Sequence, residues 1–289
     1  MTTPTPAIDQ PIVRIAAVDK QFSGGDRLVT KALEGIDLEI RKGEFVSLIG
    51  PSGCGKSTLL RIVGDLTSPT RGTVTVNGKP ADRARRDRDY GIVFQAPVLF
   101  DWRTVEDNVK LPLEMLGYDA ARRTSRAREM LELMELGDFL RHHPYQLSGG
   151  MQQRVAIARA LAIEPAILLM DEPFGALDEM TRERMNSEVL RIWQQTGTTV
   201  LFVTHSIPEA VFLSSRVVVM SARPGRITKV IDVDLPRPRT EQTRETRRYF
   251  EVVTEVREAL RAGGGAVDDA GRPAGGGSLD RTIAEGAVG

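Results

Sequence analysis

The chain has 289 residues, 41% of them hydrophobic, and this length and composition predict a globular protein with a sizeable buried core. Its 39 basic and 39 acidic residues give a formal net charge of zero, so no global field attracts nucleic acid or an anionic membrane. The single cysteine, Cys54, excludes an internal disulfide and a multi-cysteine metal site, which fits a reducing compartment such as the cytoplasm.

The first part of the chain is rich in predicted strands. Residues 1–11 are polar and contain prolines, so we expect a flexible N-terminus without a secretion signal. Runs of β-branched residues between turns then predict strands at Val13–Val18, Ile36–Ile40 and Phe45–Ile49. No apolar run along the chain is long and charge-free enough to predict a membrane span.

Strand-then-helix units follow this β-rich opening. A strand, a glycine-rich loop and a helix succeed one another from Phe45 to Val63. Apolar runs at Ile167–Met170 and Thr199–Val203 each end in a polar residue and lead into a helical stretch. This repeated order predicts an α/β fold with a parallel sheet.

The remaining segments divide the chain further. A charged, helix-patterned stretch predicts a helical subdomain inserted at about residues 96–160 of a single large domain spanning residues 12–240. Residues 241–262 fit one charged C-terminal helix. Gly, Ala and Asp dominate residues 263–289, which we expect to be disordered.

The most specific motif is a glycine-rich loop that fits the pattern GxxxxGK[ST] between a predicted strand and a predicted helix. Its glycines allow successive backbone N–H groups to converge on phosphate oxygens at a helix N-terminus. Lys56 is expected to reach the β- and γ-phosphates of ATP, and Ser57 to ligate Mg²⁺. The predicted nucleotide site comprises Gly50, Pro51, Ser52, Gly53, Cys54, Gly55, Lys56, Ser57 and Thr58.

Two acids follow the apolar strand at Ile167–Met170. Asp171 and Glu172 are therefore predicted at the carboxyl edge of the sheet, where α/β proteins bind ligands. Asp171 could hold Mg²⁺, and Glu172 could orient or deprotonate the attacking water in phosphoryl transfer. A strand that ends in a solvated turn would also explain such a pair, but the phosphate loop upstream favours the functional reading.

A second candidate anion site precedes a strongly helical stretch. Ser148 is placed to cap this helix, and Gly149 and Gly150 permit close backbone approach. A plain helix cap is the alternative. A single bound nucleotide need not use two such helix N-termini.

The run LSGGMQQR at Leu147–Arg154 resembles the signature sequence of ABC ATPases, and it lies between the phosphate loop and the Asp-Glu strand in that family's order. Other positions match further family motifs. Gln95 resembles the glutamine between the ATPase core and the helical subdomain, and Ala176–Asp178 resembles the D-loop. His205 resembles the switch histidine, and Phe22 aligns with the aromatic residue that stacks on adenine.

This resemblance implies a P-loop NTPase core with a parallel sheet, an N-terminal antiparallel β subdomain and an inserted α-helical subdomain. It implies MgATP hydrolysis with Glu172, His205, Gln95 and Lys56 in catalytic roles. The metal would be held by Ser57, Gln95 and Asp171. In a head-to-tail homodimer, the opposite ATP would meet the signature residues Ser148, Gly149, Gly150 and Gln152, with Asp178 in the D-loop.

The resemblance also implies partners and a location. The chain would bind integral membrane permease subunits at the cytoplasmic face of the inner membrane, serve a separate solute-binding protein, and bind no nucleic acid. The stretches Thr204–Ala210, Met220–Ile227 and Asp234–Arg239 resemble importers of nitrate, sulfonates, taurine and pyrimidine precursors. The alternative is a soluble ABC ATPase that acts on nucleic acid or ribosomes, although such proteins usually carry two cassettes or long coiled-coil insertions.

Several single residues have a structural alternative. Phe22 could be a core aromatic, and His205 taken alone could be a capping or structural histidine. Cys54 is most simply a space filler, although a thiol near a helix N-terminus could be activated. Phe100 and Trp102 are candidates for the surface that transmits motion to the membrane subunits, or for the core of the helical subdomain.

Overall fold

A computed structural model describes residues 11–23 and 29–263 of the chain. The predicted flexible segment therefore lies outside the described residues except for Pro11, and so does the predicted disordered tail except for Gly263. Within the described ranges, no helix is both long enough and apolar enough to cross a membrane.

The described residues form ten strands and eight α-helices. The strands are β1 (Val13–Ser23), β2 (Val29–Ile40), β3 (Phe45–Ile49), β4 (Arg71–Val76), β5 (Lys79–Pro80), β6 (Tyr90–Val93), β7 (Ile167–Asp171), β8 (Thr199–Val203), β9 (Arg216–Met220) and β10 (Ile227–Asp232). The helices are α1 (Lys56–Val63), α2 (Ala81–Asp87), α3 (Val105–Met115), α4 (Ala120–Leu133), α5 (Gly149–Leu161), α6 (Glu179–Thr196), α7 (Ile207–Leu213) and α8 (Arg247–Gly263).

The N-terminal strands build a four-stranded antiparallel sheet in the order β2-β1-β4-β5. Its inner face buries alternate residues of β1, as the two-residue period of a half-exposed strand requires, including Val13 and Ile15. The strand continues five residues past the predicted end at Val18, because β2 pairs with it as far as Ser23 opposite Val29. This extension carries Phe22 to the end of the sheet.

The second sheet has the order β10-β9-β3-β8-β7-β6, and all its pairings are parallel except that of β10 with β9. Strands β3, β7 and β8 are buried along their whole length, which is typical of a parallel sheet covered by helices on both faces. The parallel register aligns Leu48 with Val203 and Asp171 with Val203, so these strands end at one edge. The predicted α/β fold with its parallel core sheet and its N-terminal antiparallel sheet is confirmed.

Helices α3, α4 and α5 pack against one another through buried apolar residues. Side chains of Thr104, Asp119 and Ser148 cap their N-termini. The loop before α3 is held by the buried Asn108, whose amide exchanges hydrogen bonds with the backbone of Phe100 at 2.8 and 3.1 Å. Trp102, whose ring centroid lies 4.8 Å from that of Phe100, stays 75% exposed, so the surface alternative fits Trp102 better than the core alternative.

The C-terminal helix is shorter at its start than the sequence predicts. Residues Glu241–Glu245 form a separate 3-10 turn, and α8 begins at Arg247. Thr246 between them is extended, with φ −75° and ψ 145°, and its hydroxyl accepts a hydrogen bond from the Tyr249 N–H at 3.3 Å. A helix-capping side chain thus replaces continued helical pairing. Helix α8 then packs on α7 and β9.

Arg239 connects this C-terminal region to α7. Its side chain is buried, and its guanidinium donates to the carbonyl oxygens of Val211, Phe212, Ser214, Val233 and Leu235. Burial lowers the pKa of Arg239 to about 9, because desolvation disfavours the charged form. The carbonyl hydrogen bonds offset that cost and satisfy the free carbonyls at the end of α7.

Replacing Arg239 with Met should destabilise the fold. The substitution keeps apolar bulk but leaves buried carbonyl oxygens without donors, so we expect the free energy of unfolding to fall by about 2–3 kcal/mol in urea titrations. Arg247→Met is the matched control, because that side chain is 93% exposed and pairs with Glu251 on its own helix. An equal loss of stability in both variants would show that the hydrogen bonds from Arg239 to the carbonyl oxygens do not contribute to stability.

Candidate functional site

The glycine-rich loop joins β3 to α1 and has a backbone that only glycine adopts easily. Gly53 and Gly55 have φ values of +73° and +102°. A Cβ atom at Gly55 would also lie 2.6 Å from the Leu33 side chain, which leaves no room for another residue. The loop therefore wraps tightly against β2, and the free N–H groups at the start of α1 are directed to one place.

Lys56, the first residue of α1, is 5% exposed. Its ammonium group donates to the carbonyl oxygens of Gly50 at 2.9 Å and Pro51 at 3.2 Å. It forms no ion pair with a carboxylate among the described residues. A buried cation that is held by neutral carbonyls and the Cys54 sulfur gains from an arriving anion, and the loop shape suits phosphate.

Ser57 and Asp171 are joined across the sheet edge. The Ser57 hydroxyl donates to a carboxylate oxygen of Asp171 at 2.7 Å, although the two residues are 114 positions apart in the chain. Both groups offer hard oxygen atoms, the ligand type that Mg²⁺ prefers. The pair therefore fits a magnesium site at the mouth of the phosphate loop.

Glu172 and His205 meet at the ends of β7 and β8. An oxygen of the Glu172 carboxylate lies 3.4 Å from His205 Nδ1. Glu172 has a left-handed backbone, with φ +46°, and its N–H donates to the Val203 carbonyl at 3.0 Å. For a residue other than Gly, Asn or Asp this conformation is uncommon, and such strain is often found at functional sites. The arrangement places a carboxylate and an imidazole where a water molecule could be oriented.

Gln95 follows β6 at the same sheet edge and is exposed. A Cβ atom built at Gly175, in the turn after Glu172, would lie 3.0 Å from the Gln95 amide nitrogen. The structure therefore brings Gln95 close to the turn that carries the Asp-Glu pair. The sequence placed these residues on different strands, and the β6–β7 pairing brings them together.

Phe22 lies at the rim of a cleft of about 270 Å³. The walls of this cleft carry Phe22, Thr30, Ala32, Ser52, Gly53, Gly55, Lys56, Ser57, Thr58, Glu172 and Arg223. Phe22 is 46% exposed, which contradicts the core alternative for this residue. The Lys20 ammonium lies over one face of the ring, 4.9 Å from its centroid, and the exposed ring borders the cleft, where it could stack on a planar group such as adenine.

The signature residues lie outside this cleft. Ser148 caps α5 by accepting a hydrogen bond from the Met151 N–H at 3.3 Å, and Gly150 lies against Thr181. Gln152 turns back to donate to the carbonyls of Pro144 at 3.0 Å and Leu147 at 3.3 Å. The structure therefore does not bring these residues to the phosphate loop within one chain.

Asp178, predicted in the D-loop, has a structural role as well. Its carboxylate accepts a hydrogen bond from the Thr181 N–H at 3.0 Å and caps α6. This backbone hydrogen bond lowers the pKa of Asp178, because it stabilises the charged form.

Two neighbours of the site were not predicted from the sequence. Glu209 accepts a hydrogen bond from the Thr204 hydroxyl, and that hydroxyl accepts one from the Ser206 N–H at 3.0 Å. These contacts fix the backbone on both sides of His205. Burial raises the pKa of Glu209. Arg223, the other neighbour, lines the cleft and lies in the stretch Met220–Ile227. From the sequence, that stretch indicated only a resemblance to a subfamily and gave no role to Arg223.

Cys54 is buried beneath the phosphate loop. Burial raises the pKa of its thiol, so the packing role fits better than an activated thiol. Space around the sulfur is limited, since a Cβ atom built at Gly50 would lie 2.8 Å from Cys54 Sγ. An added group on this sulfur must displace the loop.

Alkylation of Cys54 should therefore be slow in the native protein and should abolish ATP binding once complete. We expect iodoacetamide to react at least about 10-fold slower at pH 7.5 than with the urea-unfolded chain, because the thiolate is scarce and covered. Mass spectrometry gives the extent of modification, and calorimetry gives ATP binding. Cys54→Ala should keep ATP binding. This control distinguishes the effect of the added alkyl group from the effect of losing the thiol. Unchanged binding after complete modification would contradict the packing interpretation.

Comparisons with known proteins agree with this geometry. The ABC transporter family profile matches residues 33–175. The chain is 43% identical over 252 residues to the aliphatic sulfonates import ATP-binding protein SsuB of Bacillus cereus, covering 87% of this chain and 97% of that protein. It is 47% identical over 199 residues to the taurine import ATP-binding protein TauB of Ruegeria pomeroyi, covering 69% and 74%.

A solved structure shows the same similarity in three dimensions. The dimeric post-hydrolysis state of the ATP-binding cassette MJ0796, bound to ADP and Pi, superposes with a TM-score of 0.66 at 38% identity. The match covers 76% of this chain and 98% of that one.

Proposed function

This chain belongs to the ATP-binding subunits of ABC transporters and is an ATPase coupled to transport, and we propose that it drives uptake of a small solute through a head-to-tail dimer. The observation that supports the site best is the contact between Ser57 and Asp171 beside the paired Glu172 and His205. It combines a magnesium-type oxygen pair with a carboxylate and an imidazole at the edge of the phosphate loop.

We assign the following roles within that site. Lys56 and the N–H groups at the start of α1 bind the β- and γ-phosphates. Oxygens of Ser57, Asp171 and Gln95 would hold Mg²⁺, which would supply positive charge to the phosphates. Glu172 orients and deprotonates the attacking water, and His205 contacts the γ-phosphate. Phe22 stacks on adenine.

The head-to-tail dimer explains why the signature residues lie away from the cleft. Ser148, Gly149 and Gly150 form a helix N-terminus suited to phosphate, and the cleft of their own chain does not include them. In a head-to-tail pair, this helix end would face the partner's ATP. Binding of ATP would then close the dimer, and hydrolysis would reopen it.

The membrane subunits are expected at the loop that Asn108 holds. Trp102 is exposed there beside Phe100, and a rigid loop with an exposed aromatic ring suits protein–protein contact. The protein would thus work at the cytoplasmic face of the inner membrane, with permease subunits and a separate solute-binding protein. We favour an aliphatic sulfonate or taurine over nitrate or a pyrimidine precursor, because SsuB and TauB are named for those substrates.

The Glu172→Gln variant tests the catalytic assignment. It keeps the side-chain shape but removes the base, so we expect ATP binding to persist and turnover to fall by about 10²–10⁴-fold. In size-exclusion chromatography with ATP, the variant should elute as a dimer, since reopening requires hydrolysis. Glu179→Gln is the control, because that exposed carboxylate, within the part of the chain that the structure describes, pairs only with Arg182 in the first turn of α6. Wild-type turnover in Glu172→Gln would overturn the assignment.

A deletion strain tests the substrate. Cells without this gene should fail to grow when taurine or an alkanesulfonate is the sole sulfur source, and should grow normally on sulfate or cysteine. Complementation with the wild-type gene should restore growth, and the Glu172→Gln gene should not. A defect on nitrate as sole nitrogen source, with normal growth on sulfonates, would overturn the sulfonate proposal and leave the ATPase assignment intact.

A further inference from the structure

The loop between β9 and β10 is hydrogen-bonded to β2 and lies against the phosphate loop. Gly225 donates its N–H to the Ala32 carbonyl at 2.9 Å and accepts from the Glu34 N–H at 3.0 Å. A Cβ atom at Gly225 would lie only 1.9 Å from the Cys54 carbonyl oxygen, so only glycine permits this approach. Within the loop, the Ser221 hydroxyl donates to the Pro224 carbonyl at 3.1 Å. These contacts hold the loop at a fixed place beside the nucleotide cleft.

Arg223 extends from this loop into the cleft. Its guanidinium donates through Nε and Nη2 to the carbonyl oxygen of Gly53, at 3.3 Å in both cases. The same side chain lines the cleft together with Phe22, Lys56 and Thr58. A residue 170 positions away from Gly53 in the chain thus contributes a cation to the phosphate loop.

Arg223 is exposed, and few protein groups bind its guanidinium. Among the residues that the structure describes, no carboxylate oxygen lies within 4.0 Å of the Arg223 guanidinium, whereas the nearby Arg226 pairs with Glu34. The two bonds to Gly53 share one acceptor and are long for N–H···O hydrogen bonds. A guanidinium has five N–H donors, so most of its capacity is available to a ligand.

The ligand chemistry follows from the shape of the group. A guanidinium is a planar fork that matches two oxygens of a phosphate, whereas an ammonium such as that of Lys56 acts as a point charge. The cleft also carries the Glu172 carboxylate, so added positive charge helps to balance a polyanionic ligand. The phosphate chain of the proposed nucleotide offers such oxygens.

We propose that Arg223 is an additional nucleotide-binding residue, whose guanidinium leaves the Gly53 carbonyl and binds non-bridging oxygens of the phosphate chain. The inference rests on the proposed binding of ATP in this cleft. It adds a contact from the β9–β10 loop to those of the phosphate loop itself. Arg223 thereby couples the position of that loop to the presence of phosphate.

Binding measurements on Arg223→Gln and Arg223→Lys test the proposal. We expect Arg223→Gln to raise the Kd for ATP by about 10-fold, since it removes one charge-assisted contact, and Arg223→Lys to lie between wild type and Arg223→Gln. The Kd for inorganic tripolyphosphate should rise by a similar factor, because that probe has phosphates and no base.

Arg226→Gln is the matched control, as it removes an exposed cation from the same loop. It should change the Kd for ATP by less than about twofold, because the Arg226 guanidinium pairs with Glu34 and is not among the residues that line the cleft. Equal weakening by Arg226→Gln, or an unchanged Kd in Arg223→Gln, would overturn the proposal. Loss of ATP binding with unchanged tripolyphosphate binding would also overturn it, and would indicate stacking on the base instead. Absence of ATP binding by the wild-type protein would contradict the proposed function itself.

Discussion

The parallel pairing of β3, β7 and β8 is the constraint on which the site depends. Because parallel strands in register end at one edge, the residues that follow them converge there despite their separation in the chain. The phosphate loop follows β3, Glu172 follows β7, and His205 lies just beyond β8. The hydrogen bond from Ser57 to Asp171 at 2.7 Å shows how closely these ends approach. A shift in strand register would separate every pair in the site.

Groups of opposite charge lie together at this edge of the sheet. Groups that attract phosphate, namely the start of α1, Lys56 and Arg223, line the cleft together with the Glu172 carboxylate. The Asp171 carboxylate accepts a hydrogen bond from Ser57, which also lines the cleft. Carboxylates near a bound polyanion would repel it without the intervening cations and a metal ion. Under the proposed function, this arrangement would favour MgATP over a free phosphate chain and would leave a carboxylate in place to act on water.

Support for the site comes from parts of the chain that carry no motif. Arg239 binds the last carbonyls of α7, and Glu209 holds Thr204 beside His205. Helix α8 packs on α7 from outside. The segment that carries His205 is therefore fixed at both ends, so that its imidazole meets Glu172 without a direct contact from the C-terminal region. Loss of Arg239 should first destabilise the segment that carries His205.

The sequence by itself determined the features that depend on neighbouring residues: the phosphate loop, the start of α1 at Lys56, the strands β3 and β8, the cap at Ser148 and the acids at the end of β7. Their signals are local, because helix caps, glycine conformations and strand periodicity act within a few residues. Only the tertiary structure decided that Phe22 is exposed, that Arg223 reaches Gly53, and that burial raises the pKa of Cys54. These properties depend on which distant segments pack together, and no local pattern encodes that packing.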